Sequence, residues 1–453
     1  MPTPRVAPVL VLALVAGCPD RPISSVDPEP HSVERKDVPV TQNTKLDLLF
    51  VVDNSGSMQE EQDSLKLNFP QFIQQFANLP SGLPDIHIGV ISTDVGSGPS
   101  SGGTVFGGCT LLGDDGALLT NRCPGIEGNF LADVAGPSGR VRNYQGALED
   151  QFKCMAALGT KGCGAEQPLE SLRRALDPQN AHNQGFLRPD SVLAVILITD
   201  EDDCSTRDRS MFSRTDTNDS IIFGCTEFGI TCDEADLRAT GAKHNCKPRV
   251  ASPYLADVDS YVQFLHTLRP KGENFVLGAI MGETSCVQIG HPGTGPGHDD
   301  PSAPMLLATH ECAPLVKGSA TPPIRLDAFR AEFPNQAFAP IGEGDLTGPL
   351  ATVAGMIVDN LPTWCMKGEL ADTNLATPAL DPDCVVSDVL HPGTKTEKEV
   401  PIAACGPSGK LPCWRFETDP ECAKFPTGLK LTIDRGGAAV DPDTHVRAQC
   451  VVD

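Results

Sequence analysis

Residues 46–58 read LDLLFVVDNSGSM, an apolar run that stops abruptly at Asp53, Asn54, Ser55, Gly56 and Ser57. Apolar side chains at successive rather than alternate positions predict a strand buried on both faces, the kind found in parallel sheets. The polar cluster then falls at the carboxyl end of that strand. In open α/β sheets this end borders a crevice left uncovered by helices, and ligands bind there. Asp53, Ser55 and Ser57 offer a carboxylate and two hydroxyls on alternate residues of a turn. Three hard oxygens can thus converge on one cation, which favours Mg²⁺, Mn²⁺ or Ca²⁺ over zinc or copper. The competing use of the same residues is an Asx/Ser turn that caps the next helix.

The rest of the chain alternates. Leu65, Phe69, Phe72, Ile73 and Phe76 mark one face of a helix that Pro70 should kink or shorten. Residues 86–92 form the next apolar strand, ending in Thr93 and Asp94. Helices are predicted over 144–158 and 167–176, then the most apolar strand, 191–200, which runs into Asp200, Glu201, Asp202 and Asp203. A second strand ending in acid repeats the arrangement at Asp53, so two strand ends can face one cation. Helix 258–268, strand 275–281, helix 326–333, strand 337–341 and helix 350–361 continue the pattern. Such alternation predicts an α/β fold, a doubly wound, mostly parallel sheet. Loop-like, cysteine-bearing insertions interrupt it near 95–143, 204–253 and 284–323. No G-x-G-x-x-G or Walker lysine follows the first strand, which argues against nucleotide binding. The G-x-S-x-G at 98–102 has neither a strand before it nor a helix after it, so it does not form a nucleophile elbow. His291, His298, Asp299 and Asp300 lie in Gly/Pro-rich sequence and read as a solvated loop.

Asp53, Ser55 and Ser57 match, residue for residue, the D-x-S-x-S that opens the metal-ion-dependent adhesion site of von Willebrand factor A (VWA) domains. The chain resembles that family over 45–365, insertions included. The resemblance implies a VWA/Rossmann-like fold and a divalent cation, Mg²⁺ foremost with Ca²⁺ or Mn²⁺ as alternatives. It also implies that Asp200 is the family's last metal-coordinating aspartate. A family loop of the form G-x-T-x-T-x-x-A-L supplies a threonine to the metal, and alignment on Ser171 and Leu172 puts Glu166 at the threonine's place. A carboxylate there would hold the ion more firmly and weaken its pull on an incoming acidic ligand, unless Glu166 points away. Asn54 and Gln167 are candidates for hydrogen bonds to the ligands.

The N-terminus carries one arginine, an apolar stretch from Val6 to Val15, then Ala16, Gly17 and Cys18. It is too short to span a membrane and has the form of an export signal. Val15 to Cys18 resemble a bacterial lipobox, implying a lipoprotein signal over 1–18 with lipidation at Cys18 and a lipid tether to the cell envelope, at the outer membrane or cell surface. Residues 19–44, rich in proline and charge, are expected to form a disordered stalk. Setting Cys18 aside leaves an even sixteen of the 17 cysteines, and no C-x-x-C occurs, so up to eight disulfides are expected in an exported protein. Cys109 with Cys123 and Cys405 with Cys413 would close short loops. Residues 366–453, with strand-like alternation at 429–433 and 446–450, predict a small cysteine-rich β module. With 35 basic against 59 acidic residues, a formal charge of −24 argues against nucleic acid or an anionic membrane face as the main partner. The resulting expectation is a non-enzymatic, membrane-anchored adhesion lipoprotein whose cation engages a protein ligand through an acidic side chain. The alternative is a structural envelope protein whose cation only stabilises loops, with binding through the insertions or the C-terminal module.

Overall fold

The computed structural model describes residues 32–39 and 45–452, apart from 80–81, 99–108, 121–122, 137–138, 189–190, 214–220, 270–273, 292–303, 377–379, 442–443 and the single positions 317, 343, 362, 375, 424 and 439. The export signal with Cys18, residues 19–31 of the expected stalk, most of the G-x-S-x-G stretch and His298 to Asp300 lie outside the described residues.

In chain order the strands are β1 (Ser32–Pro39), β2 (Lys45–Val52), β3 (Asp85–Ser92), β4 (Leu131–Gly136), β5 (Gly139–Arg142), β6 (Val192–Ile198), β7 (Ile230–Thr231), β8 (Gly241–Lys243) and β9 (Lys247–Pro248). There follow β10 (Phe275–Met281), β11 (Val287–Gly290), β12 (Met305–Leu306), β13 (Gln336–Pro340), β14 (Cys384–Leu390), β15 (Lys398–Ala404), β16 (Cys413–Thr418), β17 (Leu429–Asp434) and β18 (His445–Val452). The helices are α1 (Gln59–Ala77), α2 (Leu148–Met155), α3 (Pro168–Leu176), α4 (Ile221–Gly229), α5 (Val258–Leu268), α6 (Ile324–Ala331) and α7 (Thr347–Asn360).

A seven-stranded sheet, ordered β13-β10-β6-β2-β3-β4-β5, carries the core. Alternate residues of β2 feed two apolar clusters. Leu48, Phe50 and Val52 pack with Leu65, Phe69 and Phe72 of α1, Phe152 of α2 and Val353 of α7. Leu49 and Val51 pack on the other face with Leu172 of α3, Tyr261 of α5 and Phe329 of α6. This two-sided burial is why β6 is apolar throughout and β2 is apolar from Leu48 to Val52. Pro70 sits inside α1 without ending it.

The expectation of a doubly wound, mostly parallel, VWA/Rossmann-like fold is corrected. Among the described residues nine of the strand pairings are antiparallel and five parallel. The main sheet is itself mixed, because β4 and β5 add an antiparallel edge beside β3. A second sheet, β1-β18-β14-β15-β16-β17, has antiparallel pairing except between β15 and β16, and two small sheets come from β8, β11, β12 and from β7, β9. Apolar runs reveal central strands. Short strands without an apolar run, such as β4 and β5 in the insertion at 95–143, give no such signal.

Part of the expected stalk is β1, paired along its whole length with β18, from Ser32 opposite Val452 to Pro39 opposite His445. The C-terminal β module is therefore completed by the N-terminal side of the chain. Its two sequence-predicted strands do not pair with each other: β17 pairs with β16, and β18 lies between β1 and β14. All sixteen cysteines other than Cys18 form eight disulfides. Cys405–Cys413 is as expected, but Cys109 pairs with Cys163 and Cys123 with Cys154. Among the described residues no helix is long and apolar enough to cross a membrane.

Candidate metal centre

Strand register builds the site. Val52 of β2 lies opposite Ser92 of β3 on one side and Ile198 of β6 on the other. The next residues, Asp53, Thr93 and Thr199, therefore stand in a row across the carboxyl ends of three parallel strands. The Asp53 N–H continues the ladder to Ile198 O at 3.0 Å. One Asp53 carboxylate oxygen, Oδ1, accepts the Ser55 N–H at 2.8 Å, closing an Asx turn, and Oδ2 accepts the Thr199 hydroxyl at 2.7 Å. The turn brings Ser55 Oγ within 3.1 Å of Ser57 Oγ, and the Ser57 hydroxyl acts to lower the Asp200 carboxyl against the effect of burial. Asp53, Ser55 and Asp200 are buried, whereas Ser57 faces solvent. Four of the sequence-predicted ligands thus meet at one place.

The fifth, Glu166, arrives on the loop at 157–167 before α3. The Gly162 N–H donates to Asn54 O at 2.9 Å and the Gln167 N–H to Thr93 O at 3.1 Å, while the Glu166 carbonyl accepts the Cys204 N–H at 2.7 Å. Gln62 of α1 ties the same loop to the turn, donating to both Asp53 O and Gly159 O. The Thr93 hydroxyl donates to Glu166 Oε2. Two disulfides flank these loops: Cys109–Cys163 just before Glu166 and Cys204–Cys225 just after the acidic run. Gln167 braces the periphery, donating to Gly96 O and accepting from Thr206, rather than touching a ligand.

Electrostatically the place is one-sided. Burial, then the charge of Asp200, raises the Asp53 carboxyl above its ordinary range, and burial does the same to Asp200. Burial followed by Asp53 pushes Glu166 well up, and burial followed by Asp200 does so for Glu201. Among the described residues none of these four acids has an ion pair with Lys, Arg or His. Asp200 Oδ1, Glu166 Oε1, Asn54 Oδ1 and Glu61 Oε2 are buried with no hydrogen-bond partner. Buried anionic oxygens left unpaired cost several kcal/mol, roughly, which either a proton or a divalent cation would offset. The donors are all oxygen, which fits Mg²⁺, Mn²⁺ or Ca²⁺. Among the described residues no group of three His, Cys, Asp or Glu side chains suffices alone to hold a metal. The set fits a cation only with the two serine hydroxyls included.

Sequence reasoning missed Thr93 and Thr199 as partners of Glu166 and Asp53, and Glu201 as a further acid. The signal lay across the chain: each threonine immediately follows an apolar strand, as Asp53 does.

No protein-family model matches the chain, and no curated protein does. Among solved structures, the chain is similar to the pilus adhesin SpaC from Lactobacillus rhamnosus GG. The match has 11% identity and a TM-score of 0.32, and covers 94% of this chain and 42% of that one; the open conformation of SpaC gives the same figures. The chain is also similar to the pilus adhesin RrgA from Streptococcus pneumoniae. That match has 10% identity and a TM-score of 0.30, over 93% of this chain and 58% of that one. The chain thus spans about half the length of these structures, and the reading that follows rests on its own residues.

Proposed function

We propose that this is a non-enzymatic, cation-dependent protein-binding protein of the cell envelope, working by adhesion. Asp53, Ser55, Ser57 and Asp200 hold a divalent cation, Mg²⁺ first among those the oxygen donors suit. A partner protein adds an acidic side chain to the ion. The supporting observation is that buried carboxylates from separate loops lie at the carboxyl ends of the central strands, with unpartnered oxygens on Asp200 and Glu166 and, among the described residues, no ion pair from these acids to Lys, Arg or His. The eight disulfides fit an oxidising compartment outside the cytoplasm. Lipidation at Cys18, the cysteine left over when the others pair, would tether the protein to the envelope.

Calorimetric titration of Mg²⁺, Mn²⁺ and Ca²⁺ into the chelator-stripped chain tests the site. Saturable binding is expected, and Asp53→Ala should abolish it while far-UV circular dichroism stays unchanged. A folded Asp53→Ala protein that binds as the parent does would remove the proposal's basis. For the tether, Cys18→Ser should move the expressed protein from the membrane to the soluble fraction; retention would show that something else anchors it.

A further inference from the structure

We infer that Leu111, Leu112 and Arg209 form a docking platform for a protein segment that carries an acidic side chain beside an apolar one. This rests on the reading of the chain as a protein-binding protein and needs no cation. The platform is the outer face of the loop at 109–113, beyond the carboxyl end of β3. Its backbone is fixed from below. The Ser97 and Gly98 N–H groups donate to Thr110 O and Leu111 O at 3.0 and 3.1 Å, and the Asp114 N–H donates to Asp94 O at 2.8 Å. Thr110 Oγ1 accepts the Gly113 N–H at 2.8 Å. Gly96, at φ +70°, lets the two segments touch backbone to backbone, since a Cβ there would lie 2.6 Å from the Leu112 carbonyl carbon. Cys109–Cys163 ties the loop to the one that carries Glu166. On this base Leu111 and Leu112 are 53% and 57% exposed. Single exposed leucines are ordinary on protein surfaces. Two in succession on a loop held this way are apolar anchors that need little further ordering to bind.

Arg209, from the insertion at 204–253, supplies the charge. Its Nη1 donates to Leu111 O at 3.3 Å and its Nη2 to Val95 O at 2.8 Å, so the guanidinium bridges the two segments. Its stem lies over Gly98, where a Cβ would stand 2.8 Å from Arg209 Cδ. Both acceptors are neutral carbonyls, and among the described residues Arg209 has no ion pair. The acids whose charge favours it, Asp115 and Glu170, are already bonded to Arg174, and Glu170 to Arg173 as well. Burial, then the charge of Arg174, pulls Arg209 below the ordinary guanidinium value. A half-buried cation beside a second cation is stabilised by a carboxylate brought to it, and hydrogen bonds between the two charged groups are roughly twice as strong as neutral ones. The adjoining leucines give the same segment an apolar contact. A formal charge of −24 makes two copies of the chain repel, so the occupant is a different protein.

The test pans a random peptide display library on the full chain in EDTA and measures the enriched peptides by fluorescence anisotropy. Enriched sequences should place Asp or Glu next to Leu, Ile, Val or Phe. Leu111→Ser combined with Leu112→Ser alters only exposed side chains, so the fold should be unchanged in far-UV circular dichroism. Peptide affinity should nonetheless fall roughly tenfold, the loss expected of central interface residues. Arg209→Gln should weaken binding by a similar factor. Replacing the peptide's acid by its amide should cost that factor on the parent and nothing further on Arg209→Gln, because the two groups bind each other. An empty selection, enriched peptides without an acid, or affinities that neither variant alters would overturn the inference. Peptides enriched only when Mg²⁺ replaces EDTA would also overturn it, while supporting the cation-dependent reading. Failure of that reading looks different: the parent would show no saturable Mg²⁺ binding, and the peptide affinities in EDTA would stand.

Discussion

The side chain that fixes the acidic run is one that no motif singles out. Arg325 and Asp203 have wholly buried side chains 3.0 Å apart, and the guanidinium also donates to Ala256 O at 2.8 Å, leaving Nη1 unpartnered. Next to it Asp202, pushed up to about 7 by burial, accepts the N–H groups of Arg325 and Leu326 at the start of α6. The acidic run that ends β6 is thus held from behind by α6, which leaves Asp200 to face Ser57. Removing one member of a buried pair strands the other's charge, at a cost of about 3–5 kcal/mol. We predict that Asp203→Asn destabilises the protein by about that amount in denaturant unfolding. Adding Arg325→Met should recover part of the loss, with a coupling of roughly 1–3 kcal/mol. Strictly additive losses would show that the two charges do not depend on each other. At this scale the sequence displayed Asp53, Ser55, Ser57 and Asp200 because they interrupt apolar runs. It hid Thr93, Thr199 and Arg325, whose roles depend on register and on packing between segments far apart in the chain.

Among the elements, the central strands and the helices α1, α3, α5, α6 and α7 were legible because each buries an apolar face with its own period. The strand β1 was not, because its inward positions are Glu34, Lys36 and Val38 and its pairing is secured by charge. Asp37 accepts from His445 at 2.7 Å and from Arg447 at 2.8 Å, and Arg447 also reaches Glu397 and Glu399. Glu34 contacts Lys36 at 2.9 Å and accepts the N–H groups of Lys367 and Gly368. Burial alone would raise both carboxyls. For Asp37 the bonds from His445 and Arg447, and for Glu34 those from Gly368 and Lys36, outweigh it and hold the groups below their ordinary values. A depressed carboxyl binds fewer protons folded than unfolded, so its contribution is complete above the ordinary range, about 4, and is lost as pH falls through the folded value. Amide exchange, corrected for intrinsic rates, should therefore show residues 33–38 losing protection as the pH falls below the ordinary carboxylate range, before β2 does. Asp37→Asn should reduce that acid sensitivity. Equal protection losses in β1 and β2 would refute the charge latch.

Across the whole molecule, the second sheet joins the two sides of the chain, β1 and β14 to β18, while residues 45–361 lie between them in sequence. A sheet whose neighbouring strands are so far apart in the chain has a large closure entropy to overcome. Disulfides reduce that cost by restricting the unfolded chain, more so the longer the loop they close. Cys384–Cys450 links β14 to β18 across 66 residues, whereas Cys405–Cys413 closes 8. In the chain-entropy account these are worth about 4 and about 2.5 kcal/mol respectively. Both bridges lie in the same sheet, so comparing them isolates loop length from location. We predict that replacing Cys384 and Cys450 by alanine costs roughly 2 kcal/mol more unfolding free energy than replacing Cys405 and Cys413. The larger loss should also appear as faster exchange in β1, which among the described residues pairs with β18 alone. Equal losses would mean that the reduced chain already holds β14 near β18. The second sheet would then form from residues 366–453 before β1 docks, and the long disulfide would record that order rather than enforce it.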